Sequence, residues 1–353
     1  MTVVPFLTSL LTIPSPTGDE YAKNQYIVDW IAANVPAAMI EVSSDGVMAR
    51  LNNDPSQPHI GLVGHSDVVP DHVVPYVDGD RLYGSGASDM QSGLACIIYL
   101  LKELSDQPVN ISLIIYNREE GTPINENGLY ALIRDNLDQF KSMALAIVAE
   151  PTNNTIQLGC VGSIHAQVEI SGKQAHSARP WDGDNALYKA IPFIQAIKSM
   201  KPVKQSIYRV DFYDVINITE SCSEVGRTTI PGRWTANVNF RYAPIRRDDE
   251  AQDELLALLH QAEPSAIVKI TDNSYAGEVI ESVLLNEWID RLGRPKEAKQ
   301  AWTDVAQLSR LGVPAFNFGP GLTSQAHRLD EFVLISDIEL YYKTLLGAFT
   351  CQK

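Results

Sequence analysis

The chain has 353 residues, 45% of them hydrophobic, which is long for one core and suggests two domains of about 150 residues or more. Its 28 basic and 43 acidic residues give a formal net charge of -15, a surface that repels nucleic-acid phosphates and anionic membranes and excludes both as partners. No apolar run approaches the roughly 18 residues of a membrane span. The first residues, MTVVPFLTSLLTIPSPTGDE, lack a Lys or Arg before their apolar stretch, so a cytoplasmic location is expected. Cys96, Cys160, Cys222 and Cys351 are scattered with no CxxC pair, which argues against a thiolate zinc site or a disulfide framework.

In chain order, the first strong elements are three apolar runs rich in β-branched residues: HIGLVG just before His65, VNISLIIYN at 109–117 and ALAIVA at 144–149. Such runs read as strands buried on both faces of a parallel sheet. Between the first two, GLACIIYLLKEL (93–104) has helical period and length, so the first 150 or so residues predict an α/β/α sandwich. From Ile164 to Ile170, IHAQVEI alternates strictly and predicts a half-exposed strand. A helix over 185–198, strands near 208–218 and 233–242, a helix near 249–262 and the strand AIVKI (266–270) follow. That βαββαβ order predicts a ferredoxin-like α+β domain. Beyond Ser274 the α/β pattern returns, with helices near 278–292 and 303–311 and the strand VPAFNF (313–318). The expected organisation is a discontinuous catalytic domain, 1–162 and 275–353, interrupted by an inserted lid of residues 163–274.

Ligands of open α/β sheets bind at the carboxyl ends of the strands. Three predicted strands end in metal-binding residue types: HIGLVG leads to His65-Ser66-Asp67, SLIIYN to Arg118-Glu119-Glu120, and ALAIVA to Glu150. The Gly-rich loop GSGASD (84–89) delivers Asp89, and His327 follows a Gly-Pro-Gly turn at 319–321. Each has an ordinary explanation taken alone, such as a helix N-cap for Asp89 or a solvated pair for Glu119 and Glu120. Together at one rim, acidic groups repel unless a cation neutralises them. The three carboxylates of Asp89, Glu120 and Glu150 balance two zinc ions and a bridging hydroxide. With Asp89 shared, each ion keeps one His and one Glu, a donor set that suits catalytic zinc. Metals about 4 Å apart form a recognised hydrolytic pair.

GHSDVVP, GSGASDMQSG, the Glu-Glu pair, AEPT, GKQAHSARP and WTDVAQLSRLGVPAFNFGPG together resemble the M20 family of zinc aminoacylases and peptidases, in order from about residue 10 to the end. Within that family the chain is most similar to the shorter desuccinylases. The resemblance implies an amide hydrolase with two Zn2+ per subunit, for which Co2+ substitutes. It makes His65, Asp89, Glu120, Glu150 and His327 the ligands, with Asp89 bridging. Glu119 becomes the general base, and Asp67 the group that orients His65. It also implies a homodimer built through the inserted domain, in which His176 reaches the partner subunit's site and stabilises the oxyanion. The implied substrate is an N-acyl amino diacid, N-succinyl-diaminopimelate, with acetylornithine or a dipeptide as the alternative within the family. Arg241, Arg179 and Thr303 are the implied substrate contacts, the arginines because a diacid needs bidentate cationic partners. A surface ion pair is the other reading of either arginine. His59, His72, His165 and His260 read as ordinary structural or surface histidines.

Overall fold

The computed structural model describes residues 3–69, 73–224 and 226–350; His72 and Cys351 lie outside them. The chain divides into two compact units, each taken by itself. The first comprises Met1–Gly159, Glu278–Ala298 and Thr303–Lys353, and the second Cys160–Gly277 with Lys299–Trp302.

The first unit is an α/β/α sandwich around an eight-stranded sheet. Its spatial order is Met39–Ser43, Gly46–Asn52, Asn110–Tyr116, His59–His65, Leu145–Val148, Ala315–Asn317, Ile156–Leu158 and Lys296–Ala298. The four middle strands are parallel, in register His65 with Tyr116, Val63 with Val148, and Asn317 with Val148. All residues of the first three of these are buried, as expected of runs that carry helices on both sides. Helices Gly128–Asp135, Leu137–Lys141 and Val305–Arg310 bury Leu132, Phe140 and Leu308 against Val63 and Ile114 on one face. Ser92–Glu103 packs on the strands His59–His65 and Asn110–Tyr116, together with Val3–Leu11, Tyr21–Asn34 and Ile335–Thr350. Because the central strands point the same way, His65, the turn after Tyr116, Glu150 and the turn after Asn317 share one rim.

The second unit is a five-stranded antiparallel sheet ordered Val203–Ile207, Val210–Ser223, Arg233–Tyr242, Gly162–Ser171, Ile267–Ser274. Helices Ala186–Ser199 and Asp248–Ala262 cover one face, packing Phe193, Ile197, Leu255 and Leu259 onto Ile164, Val168, Trp234 and Val238. The four longer strands have the ferredoxin-like order that the βαββαβ pattern predicts. The fifth, Val203–Ile207, differs from expectation. Its hairpin turns at Tyr208 and Arg209, both at positive φ (50° and 62°), without the Gly or Asn that usually marks such a turn. The expected end of the insertion also changes. Residues 299–302 join this unit because Val161 N–H donates to the Lys299 carbonyl (3.2 Å), Gln300 exchanges two hydrogen bonds with the Tyr213 backbone, and Trp302 Nε1 donates to the Tyr275 carbonyl (3.0 Å).

Candidate metal centre

His65 ends a fully buried strand and is itself buried. Its Nδ1 lies 3.0 Å from the backbone carbonyl of Asp67. A carbonyl only accepts, so Nδ1 carries the proton and Nε2 is turned toward the rim. Nε2 is buried without a hydrogen-bond partner, 3.6 Å from Asp89 Oδ1 and 4.0 Å from Glu150 Oε1. On the other side of Asp89, His327 Nε2 lies 3.8 Å from Oδ2 and 2.9 Å from Glu120 Oε2. His65, Asp89 and Glu120 each present a ligand atom within 4.8 Å of the others. Asp89 therefore stands between the two imidazoles, one carboxylate oxygen toward each.

An imidazole lone pair buried among carboxylates is stable only if positive charge sits between them, whether a proton or a metal ion. The titration behaviour expresses that demand. Burial alone would lower the His65 pKa, but the carboxylates of Asp67 and Asp89 outweigh it and hold it well above the usual value. The hydrogen bond to Glu120 leads the causes that push His327 up to about 9. Glu119 is raised well above the ordinary carboxylate range, first by desolvation and then by Glu120, Glu150 and Asp304, with His65 opposing. Nitrogen and carboxylate oxygen donors with an orphaned imidazole nitrogen fit zinc-type cations.

Asp67 is buried and locks two segments together. Its oxygens accept the backbone N–H groups of Glu119 (3.0 Å) and Glu120 (2.9 Å) and the Thr17 hydroxyl (3.1 Å). Burial works to raise the Asp67 pKa, but His65 and those two amides prevail and hold it at about 2. Several further supports were not anticipated from sequence. Glu20 accepts the Arg118 N–H at 3.0 Å, and Arg118 adopts φ 56°, which turns the chain just before Glu119. Buried Lys23 donates to Gln91 (3.1 Å), whose amide faces the carbonyls of His65 and Ser66. Asp304, fully buried, accepts from the Tyr116 hydroxyl and from Gln307. Gly319 and Gly321 let the Gly-Pro-Gly turn press on the site. A Cβ at Gly319 would lie 2.4 Å from the Glu150 carbonyl, and one at Gly321 2.3 Å from that of Ser88.

A family model, Peptidase family M20/M25/M40, matches residues 61–350. The chain belongs to this family. M20 enzymes are metal-dependent hydrolases, and this chain is an amide-bond hydrolase of that kind. A succinyl-diaminopimelate desuccinylase from Corynebacterium glutamicum is 34% identical over 331 residues, covering 91% of this chain and 89% of its own. Two solved structures share the fold. The aminopeptidase PepT of Bacillus cereus has a TM-score of 0.78 at 15% identity, covering 98% of this chain and 97% of that one. A dinuclear metal binding M20 peptidase of Bacillus subtilis has a TM-score of 0.70 at 16% identity, covering 98% and 96%.

The remaining M20-type candidates divide between the units. Thr303 is buried in the first unit, immediately before Asp304 and the helix Val305–Arg310. In the second, Ala175–His176 pairs with Thr229–Ile230, and His176 is exposed. Its Nδ1 accepts the Ala178 N–H at 3.1 Å, so in the neutral ring Nε2 is the donor. Arg179 is exposed beside it. Arg241 is half-buried, its Nε donating to Asn239 Oδ1 at 2.9 Å. Burial lowers its pKa, with Asp272 opposing. Among the described residues no helix is long and apolar enough to cross a membrane.

Proposed function

We propose that this chain is a cytoplasmic di-zinc amidohydrolase that removes the succinyl group from N-succinyl-LL-2,6-diaminopimelate, giving succinate and LL-diaminopimelate. The observation that carries the two-cation reading is the place of Asp89 between two imidazoles, Oδ1 toward His65 and Oδ2 toward His327, with Glu150 beside His65 and Glu120 beside His327. The succinyl substrate rests on the likeness to the Corynebacterium glutamicum desuccinylase over nearly the whole chain.

When bound, the cations supply Lewis acidity for the acyl carbonyl and lower the pKa of water. Glu119 is the general base. It takes a proton from the attacking water and returns it to the departing amine nitrogen, so one water is consumed and the C–N bond opens. Asp67 holds the imidazole of His65 and, through two amides, the backbone that carries Glu119 and Glu120. His176, presented by a partner subunit, donates from Nε2 to the developing oxyanion. The dimer is supported by Leu187, Tyr188 and Ile191, exposed apolar residues on the helix Ala186–Ser199. Arg241, Arg179 and Thr303 are the proposed substrate contacts, the arginines as partners for carboxylates.

The test compares kcat/KM of the zinc-loaded protein on N-succinyl-LL-diaminopimelate, N-acetylornithine and a dipeptide. A clear preference for the succinyl substrate is expected, and a preference for either competitor would transfer the assignment to it. Glu119→Gln should bind zinc as before while kcat falls about 10²–10⁴-fold.

A further inference from the structure

Glu331 lies four residues beyond His327 and is buried, 3% exposed. It is not one of the candidate ligands, yet its side chain is fully engaged. Oε1 accepts the backbone N–H groups of Ser88 and Asp89, both at 2.8 Å, and Oε2 accepts that of Gly86 at 2.7 Å. Its own carbonyl accepts the Gly84 N–H at 3.1 Å. Next door, Ser88 Oγ donates to the Phe332 carbonyl (2.7 Å) and accepts the Leu322 N–H (3.2 Å). One residue thus grips nearly the whole turn from Gly84 to Asp89 from 242 or more positions away.

Burying a carboxylate is unfavourable unless its lone pairs are satisfied, and here backbone amides satisfy them. Those amides belong to the turn that aims Asp89. The turn needs such a grip, because Asp89 and Met90 have non-helical φ/ψ inside the π-helical segment Ala87–Gln91. Local hydrogen bonds, from the Ala87 N–H to the Gly84 carbonyl (3.0 Å) and from the Gln91 N–H to the Gly86 carbonyl (2.8 Å), bracket Asp89, whose own N–H goes to Glu331. Both Glu331 oxygens are taken up by amides, so the residue acts on the turn and not as a ligand.

We infer that Glu331 is a positioning residue for cation binding: its carboxylate, by holding three amides of the Gly84–Asp89 turn, fixes Asp89 between the two half-sites and ties that turn to the segment that carries His327. The inference rests on the two-cation reading of the cluster. Removing a support of this kind costs metal affinity, typically about 10–100-fold.

The experiment titrates the metal-free full-length chain with Co2+, followed by visible absorption, and with Zn2+ by calorimetry. Wild type is compared with Glu331→Ala, Glu331→Gln and Ser336→Ala. The Ser336 hydroxyl, in the same part of the chain, donates to Asp80 Oδ2 (2.5 Å) and not to the turn. Glu331→Ala should bind about 10–100-fold more weakly and show an altered cobalt spectrum. Glu331→Gln keeps one acceptor oxygen and should fall between it and wild type. Ser336→Ala should lower the melting temperature yet bind as wild type does. Melting temperatures in chelator separate a stability effect from an affinity effect. Should Glu331→Ala fail to fold, Glu331→Gln decides. Reduced stability with unchanged affinity and spectrum in the folded Glu331 variant would overturn the inference while leaving the cluster reading intact. No cation binding by wild type would overturn both.

Discussion

The carboxylate of Asp67 accepts the backbone N–H of Glu120 at 2.9 Å across 53 positions of sequence. The same side chain takes the Glu119 amide at 3.0 Å and stands 3.4 Å from His65 Nδ1. One buried acid therefore sets the orientation of an imidazole and of the neighbouring Glu-Glu turn at once. Asp67→Asn replaces one acceptor oxygen with an NH2 group that faces a donor N–H. Zinc affinity should drop about 10–100-fold, with kcat reduced as well because Glu119 shifts. Calorimetric zinc titration beside steady-state kinetics checks this, and a variant altered in KM alone would contradict it.

Proton release follows from the two histidines. Without a cation, His327 is raised to about 9, chiefly by Glu120, and His65 is held well above its usual value by Asp67 and Asp89 against the effect of burial. At about 9 the His327 ring is an imidazolium at pH 7, and a metal must displace its second proton. Apparent affinity at the His327 half-site should therefore climb about tenfold per pH unit up to about pH 9 and then level off. Calorimetry at pH 7 in buffers of different ionisation heat should show protons leaving as zinc binds. Heats independent of buffer would refute this.

Lys23 makes a stability prediction of known sign. Burial lowers its pKa from 10.5 to about 7, with Asp67 opposing. Between those values the unfolded chain holds a proton that the folded chain lacks, so folding stability rises with pH there, by at most about 1.4 kcal/mol per unit. Below about pH 7 both states are charged and the contribution is flat. On passing from pH 7 to pH 9, the stability difference between wild type and Lys23→Met should move in favour of wild type. Urea unfolding at the two pH values measures it, and an unchanged difference would exclude the lowered pKa.

Gly321 tests the closeness of the Gly-Pro-Gly turn to the Asp89 loop. Gly321→Ala would force a Cβ to 2.3 Å from the Ser88 carbonyl, backbone against side chain with no flexible end to yield. A loss of about 1–3 kcal/mol is expected from overpacking, together with weaker zinc binding. Denaturant unfolding and zinc titration report the two effects, and wild-type values in both would show that the turn yields freely.

Much of this arrangement was legible in the sequence for a physical reason. His65, the Glu119–Glu120 pair and Glu150 each follow an apolar run long and β-branched enough to read as a buried strand, and parallel strands place their carboxyl ends at one rim. The supports were not legible. Thr17, Lys23 and Glu331 act through single hydrogen bonds or backbone amides from 50 to 245 positions away, and no local periodicity marks them. The strand Val203–Ile207 has no turn signal in sequence, because its hairpin places Tyr and Arg at positive φ. Residues 299–302 group with the second unit through backbone pairing with Val161 and Tyr213, which leaves no compositional trace.

The most direct measurement is the zinc content of the purified full-length chain, wild type against Asp89→Ala, by elemental analysis after saturation and removal of free metal. Two zinc ions per wild-type chain are predicted, and at most one in Asp89→Ala, since both half-sites share that carboxylate. A wild-type chain that retains no zinc, or an Asp89→Ala chain that still holds two, would contradict the account.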